Sequence, residues 1–160
     1  FIMTIIGIDP GYDRLGVAIF TDGQLTFSTC LSSNPKDSFP NRLKTLGEGL
    51  KNIFSTYQPS SVAMEEIFFS QNQTTALKVA EIRGMIMYLA GEFKAEVYQY
   101  SPQAVKMSVA GYGNASKDQV TAMVKRLVKL PQALKYDDEY DAIAVGLTHL
   151  AHWGNKLSPP

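Results

Sequence analysis

The stretch TIIGIDPGYDRLGVAIFTDGQLTFSTCL, residues 4–31, decides the fold. Thr4–Ile8 is a short apolar run halted by Asp9-Pro10-Gly11, which reads as a buried strand ended by a breaker cluster. Leu15–Thr21 and Gln24–Leu31 read as two further strands, joined at Asp22-Gly23, a two-residue hairpin signal. Beyond a polar stretch with Pro35 and Pro40 the period changes. Leu43, Leu46, Leu50, Ile53, Phe54 and Tyr57 fall at helical spacing and predict an amphipathic helix closed by Pro59. A fourth strand is expected over Ser61–Ile67, a second helix over Thr74–Ala90 with apolar residues on more than one face, and a fifth strand over Ala95–Tyr100. Ser101-Pro102 then opens a short helix ending near Gly111-Tyr112-Gly113. Ser116 caps another helix through Leu130, stopped by Pro131, and a last helix runs from about Asp138 to about His152. Three antiparallel strands followed by helical crossovers predict an α/β fold: a five-stranded mixed sheet with helices on both faces.

The chain has 160 residues, of which 45% are hydrophobic and 19% charged, enough for one domain with a substantial core and too apolar for wholesale disorder. We read residues 1–160 as a single domain, with Phe1 and Ile2 as a remnant ahead of a start at Met3. The single cysteine, Cys30, excludes a disulfide scaffold and a cysteine-rich zinc module, and is expected to be a small core residue. No run reaches a membrane span, and the apolar Phe1–Ile8 lacks the basic lead-in of a signal peptide, so the cytoplasm is the expected location. Lys plus Arg equals Asp plus Glu at 15 each, but the charge is unevenly spread. Between Pro102 and Leu130 five cations (Lys106, Lys117, Lys125, Arg126 and Lys129) face Asp118 alone, whereas Asp137–Asp141 holds four acids in five positions.

The acids carry the chemistry. Asp9 ends the first strand and Glu65-Glu66 ends the fourth; as parallel neighbours those strands would release their carboxylates at one sheet edge, where open α/β sheets place their sites. Asp138 and Asp141, three apart, share one face of the last helix. Each acid alone has a routine use, as a turn former, a helix-dipole partner or a solvated strand end. Converging, they do not: two carboxylates 5 Å apart repel by roughly 3 kcal/mol at an effective dielectric near 20. Bound protons or divalent cations must then compensate, and an all-oxygen set favours Mg²⁺ or Mn²⁺ over zinc. Two ions about 3.5–4 Å apart are the device of in-line phosphodiester hydrolysis. Periodicity leaves Glu65 and Glu66 as alternatives, since they point to opposite faces.

Taken together, Ile6-Gly7-Ile8-Asp9-Pro10-Gly11, Ala63-Met64-Glu65-Glu66-Ile67-Phe68 and Asp138-Glu139-Tyr140-Asp141-Ala142-Ile143-Ala144-Val145 resemble the RuvC Holliday-junction resolvases. So do Arg83-Gly84, Ser101-Pro102, Lys106, Gly111-Tyr112-Gly113, Lys117 and Thr148-His149, in the same order from Thr4 to His152. The resemblance implies a ribonuclease H-like fold and a homodimeric, Mg²⁺-dependent endonuclease that cuts four-way DNA junctions at two symmetric phosphates, with two ions per site and Mn²⁺ able to substitute. It selects Glu65 of the pair, beside Asp9, Asp138 and Asp141, as catalytic and cation-binding. It also matches Phe68 to an aromatic that stacks on unpaired junction bases, and Lys106 and Lys117 to residues on the DNA backbone. A branch-migration helicase complex is a candidate further partner.

Read from the residues themselves, Phe68-Phe69 opens a polar loop, Ser70-Gln71-Asn72-Gln73, whose Gln71 and Asn72 are candidates for contacts to bases or sugar. Lys106 and Lys117 can neutralise phosphates. The second helix is the candidate dimer surface, with Ala76, Leu77, Ala80, Met85, Met87 and Tyr88 supplying apolar groups and Gly84 allowing close approach. His149 and His152 lie several turns from Asp138, too far along the helix to join its site. Three competing readings are a ribonuclease H-type nuclease on RNA–DNA hybrids, a junction-binding module that does not cut, and a sugar-kinase-like fold, the last of which needs a second domain that 160 residues cannot supply.

Overall fold

Alternation along the strands divides the apolar residues between two cores. In the computed structural model, which describes residues 2–67, 72–130 and 134–157, five strands form one sheet: β1 (Thr4–Asp9), β2 (Arg14–Thr21), β3 (Gln24–Ser32), β4 (Ser61–Glu65) and β5 (Glu96–Tyr100). The order is β3-β2-β1-β4-β5, with β1–β2 and β2–β3 antiparallel and β1–β4 and β4–β5 parallel. Ile6, Ile8, Val17, Ile19, Val62 and Met64 face one side, where α1 (Phe39–Tyr57) and α2 (Gln73–Glu92) cover them with Leu46, Leu50, Phe54, Ile82 and Ile86. Ile5, Ala18, Phe20 and Ala63 face the other, beneath α3 (Pro102–Ala110), α4 (Lys117–Leu127) and α5 (Asp137–Leu157). This is the expected mixed sheet with helices on both faces.

Local chemistry explains most boundaries. Asp22 and Gly23 close the β2–β3 hairpin with φ of 48° and 81°, the pair of positive values that a type I′ turn requires. Ser101 caps α3 through Ala104 N, and Ser116 forms a capping box with Gln119 at the start of α4. Other ends depart from expectation. Helix α1 begins four residues before Leu43, because Ser38 and Pro40 supply a first turn rather than a loop. Strand β4 ends at Glu65 rather than Ile67, although Glu66 N still donates to Tyr100 O at 2.8 Å. Helix α4 stops at Leu127 rather than Leu130: the backbone turns extended at Val128 (φ −123°, ψ 148°), and Val128 and Leu130 pack on the core from outside the helix. Helix α5 runs past His152 to Leu157, with Trp153 set edge-on against Tyr98. The outer face of α2 is not buried twice; Leu77, Met87 and Tyr88 are exposed.

Close approach of α5 to the sheet depends on two strand glycines. A Cβ on Gly7 would overlap the Ala142 carbonyl oxygen and lie 2.8 Å from Gly146 N. A Cβ on Gly16, the cross-strand partner of Asp9, would strike the Asp138 carbonyl. With hydrogen in place of a side chain at both positions, α5 lies directly on β1 and β2, its first turn over the end of β1.

Candidate active site

Strands β1 and β4 run parallel with Ile8 opposite Met64, so Asp9 and Glu65, one residue on, emerge side by side. Gly7 and Ala63 lie two residues earlier on the same face, the face that carries α5. Register thus turns Glu65, rather than the exposed Glu66, toward Asp9. From above, the first turn of α5 brings Asp138 and Asp141. Asp9, Glu65 and Asp141 line one cavity of about 280 Å³, together with Lys106 from α3 and Lys117 from α4. Asp9 and Glu65 also border a second cavity of about 180 Å³ shared with Glu66 and Arg83.

Three acids of the α5 turn are engaged with cations of the protein. Arg14 Nε donates to Asp138 Oδ2 at 2.8 Å, and Lys117 Nζ to Asp141 Oδ2 at 3.2 Å, with Asp137 at 3.8 Å from the same ammonium. Asp138 does not line the larger cavity. Among the described residues, no three His, Cys, Asp or Glu side chains are gathered as a ready metal cage. The expected four-acid convergence is therefore partial: three acids share the cavity and Asp138 is held aside by Arg14.

The electrostatics show how much charge is packed here. Burial, then the charges of Asp141, Asp138 and Glu65, push the Asp9 carboxyl up to about 7 against only slight relief from Lys117. Burial and then Asp141 raise Glu65, opposed by Lys106, Arg83 and Lys117. Asp141 is also raised, chiefly by burial, while Lys117 pulls the other way. Burial lowers the Lys117 ammonium, but Asp141, Asp137 and Asp9 outweigh it and raise the group. Burial apart, Arg14, Arg83, Lys106 and Lys117 thus meet part of the repulsion that the sequence implied.

The remaining candidates divide. Phe68 and Gln71 lie outside the described residues. Asn72 is exposed and caps α2 by accepting from Thr75 N at 3.2 Å. His149 is buried beyond the middle of α5, away from its acidic first turn, its ring nitrogens 2.9 Å from Ser61 Oγ and 2.7 Å from the Tyr100 hydroxyl, which gives it a structural role. Cys30 is half-buried rather than core, and sits across from Gly16.

Two residues near the site carry little sequence signal for it. Arg14 gives no periodic signal, because its partner lies 124 residues away. Arg83 is 4% exposed, and its guanidinium donates to the Glu65 carbonyl and to Gln99, tying the end of β4 to β5 and α2. An arginine between Ile82 and Ile86 on a buried helical stripe was the available clue.

Comparison with known proteins bears on the fold and the family. The family model described as crossover junction endodeoxyribonuclease RuvC matches residues 5–149. The crossover junction endodeoxyribonuclease RuvC of Alkaliphilus metalliredigens is 42% identical, covering 98% of this chain and 97% of that protein; the protein of the same name from Natranaerobius thermophilus is 38% identical over 92% and 94%. Among solved structures, Thermus thermophilus RuvC in complex with Holliday junction substrate superposes with a TM-score of 0.85 at 30% identity, covering 95% of this chain and 96% of that one. The yeast mitochondrial Holliday junction resolvase shares the fold, with a TM-score of 0.67 at 15% identity over 96% and 79%. On the match to the family model and the near-complete alignment with these relatives, the chain belongs to the RuvC crossover junction endodeoxyribonuclease family.

Proposed function

We propose that this protein resolves four-way DNA junctions by paired symmetric nicks, as a homodimeric, divalent-cation-dependent endonuclease of recombination and repair. The observation that carries the reading is the parallel register of β1 and β4, which sets Asp9 beside Glu65 under the first turn of α5. Relatives named as crossover junction endodeoxyribonucleases, and a structural neighbour bound to a Holliday junction, support the substrate.

In this reading Asp9, Glu65, Asp138 and Asp141 hold two Mg²⁺ ions, with Mn²⁺ able to replace them. The donor chemistry fits: every candidate ligand is a carboxylate oxygen, and the Asp9 carboxyl is raised first by burial and then by the charges of Asp141, Asp138 and Glu65 around it. Such ions would supply activation of water and a counter-charge for the leaving oxygen. The protein positions the acids, lines the cavity wall with Val105, Val120 and Val145, and offers Lys106 and Lys117 to the DNA phosphates. Phe68 is proposed to stack on opened bases, with Gln71 and Asn72 beside it. The exposed Leu77, Met87 and Tyr88 of α2, with Gly84 open between them, form the proposed dimer face.

We further read residues 1–160 as one nuclease domain acting in the cytoplasm, where a branch-migration helicase complex would present the junction. No helix among the described residues is long and apolar enough to cross a membrane. The test is one gel: a synthetic four-way DNA junction, a linear duplex and an RNA–DNA hybrid, each incubated with Mg²⁺ and with EDTA. Paired nicks in the junction with Mg²⁺ alone are expected. Cleavage confined to the hybrid would replace the reading with a ribonuclease H activity, and binding without nicks with a binding module.

A further inference from the structure

The fourth acid of the site is held by a residue that the proposed chemistry does not use. Asp138 Oδ2 accepts from Arg14 Nε at 2.8 Å, and Asp138 stands off the cavity that Asp9, Glu65 and Asp141 line. Arg14 is anchored for this contact. It is the first residue of β2, two before the Gly16 whose bare Cα lets the Asp138 backbone approach, and its guanidinium lies 5.0 Å over the Tyr136 ring. The pair is not sealed: the Arg14 side chain is 49% exposed and that of Asp138 22%, so water and ions reach it and it can exchange partners.

We propose that Arg14 is the internal counter-ion of Asp138, which a divalent cation must displace, and that as a positioning residue it sets how tightly the site holds its cation. The inference rests on the reading of Asp138 as a cation ligand. A guanidinium on one Asp138 oxygen removes that oxygen from the ligand set, and its fixed positive charge repels a dication a few ångströms away. Lysine at this position would keep the charge but lose the planar side-on donation through Nε and the stacking on Tyr136.

The measurement is Mn²⁺ binding to the DNA-free protein, followed by the loss of the free-ion electron paramagnetic resonance signal. Arg14→Gln and Arg14→Met, two charge-removing variants of an exposed residue, are each expected to bind Mn²⁺ about fivefold more tightly at low ionic strength. The gain should shrink as salt is raised. Arg14→Lys should stay near the starting affinity, and Arg14→Gln should add little gain in an Asp138→Asn background. Affinity unchanged or weakened in both neutral variants, while Asp138→Asn alone still weakens binding, would overturn the role of Arg14 and leave Asp138 a ligand. Unchanged binding in Asp138→Asn would instead remove the ligand reading, and the inference with it.

Discussion

Replacing Asp9 with asparagine should stabilise the cation-free protein while destroying its activity. The Asp9 carboxyl, 3.8 in the ordinary case, is pushed up to about 7 by burial and by Asp141, Asp138 and Glu65. A carboxyl raised on folding binds its proton more tightly in the native state. The native state is therefore undisturbed below the ordinary value and is penalised as pH climbs from about 4 to about 7. Above that the cost is constant, on the order of 4 kcal/mol for a shift of this size. Asparagine keeps the shape and removes the titration. The stability difference between Asp9→Asn and the parent should then grow by about 2–3 kcal/mol between about pH 5 and about pH 8, or roughly 5–10 °C in Tm for a domain of this length. Thermal unfolding in EDTA at both pH values measures it. A difference that stays flat across the interval would refute the reasoning, whatever its absolute size. Saturating Mg²⁺ should narrow the gap at the higher pH, because the ion relieves the repulsion in the parent alone. Junction cleavage by Asp9→Asn should fall below detection while junction binding survives.

The geometry sets three other outcomes. Gly7→Ala places a methyl on the Ala142 carbonyl, so urea unfolding should show a loss of about 1–3 kcal/mol with reduced cleavage; wild-type stability would contradict the close seating of α5. Lys117→Met removes the cation that restrains the upward shift of Asp141, and the acidic limb of the cleavage rate profile should move to higher pH, with turnover at neutral pH at least about tenfold lower. His149→Phe strands the hydroxyls of Ser61 and Tyr100, which should cost about 1–3 kcal/mol of stability yet leave turnover per folded molecule intact; a selective loss of turnover would place His149 in the chemistry after all.

Much of the protein was legible because its signals are local. Apolar alternation in Thr4–Ile8 and Ser61–Met64, the Asp22-Gly23 turn and the serine caps at Ser101 and Ser116 act through bonds to residues a few positions away, so the sequence alone determined the element order and hence the mixed sheet. It likewise put acids at the ends of two strands and at the start of the last helix. Tertiary structure decided what depended on distance. The register of β1 against β4 turned Glu65 rather than Glu66 toward Asp9, and a period of two cannot report which of two strand faces meets a helix from elsewhere. The descent of α5 onto Gly7 and Gly16 put Asp138 beside Arg14, and Lys117 reached Asp141 from α4. Coulomb attraction depends on separation in space, and Arg14 and Asp138 stand 124 positions apart along the chain until the sheet and the last helix close on each other.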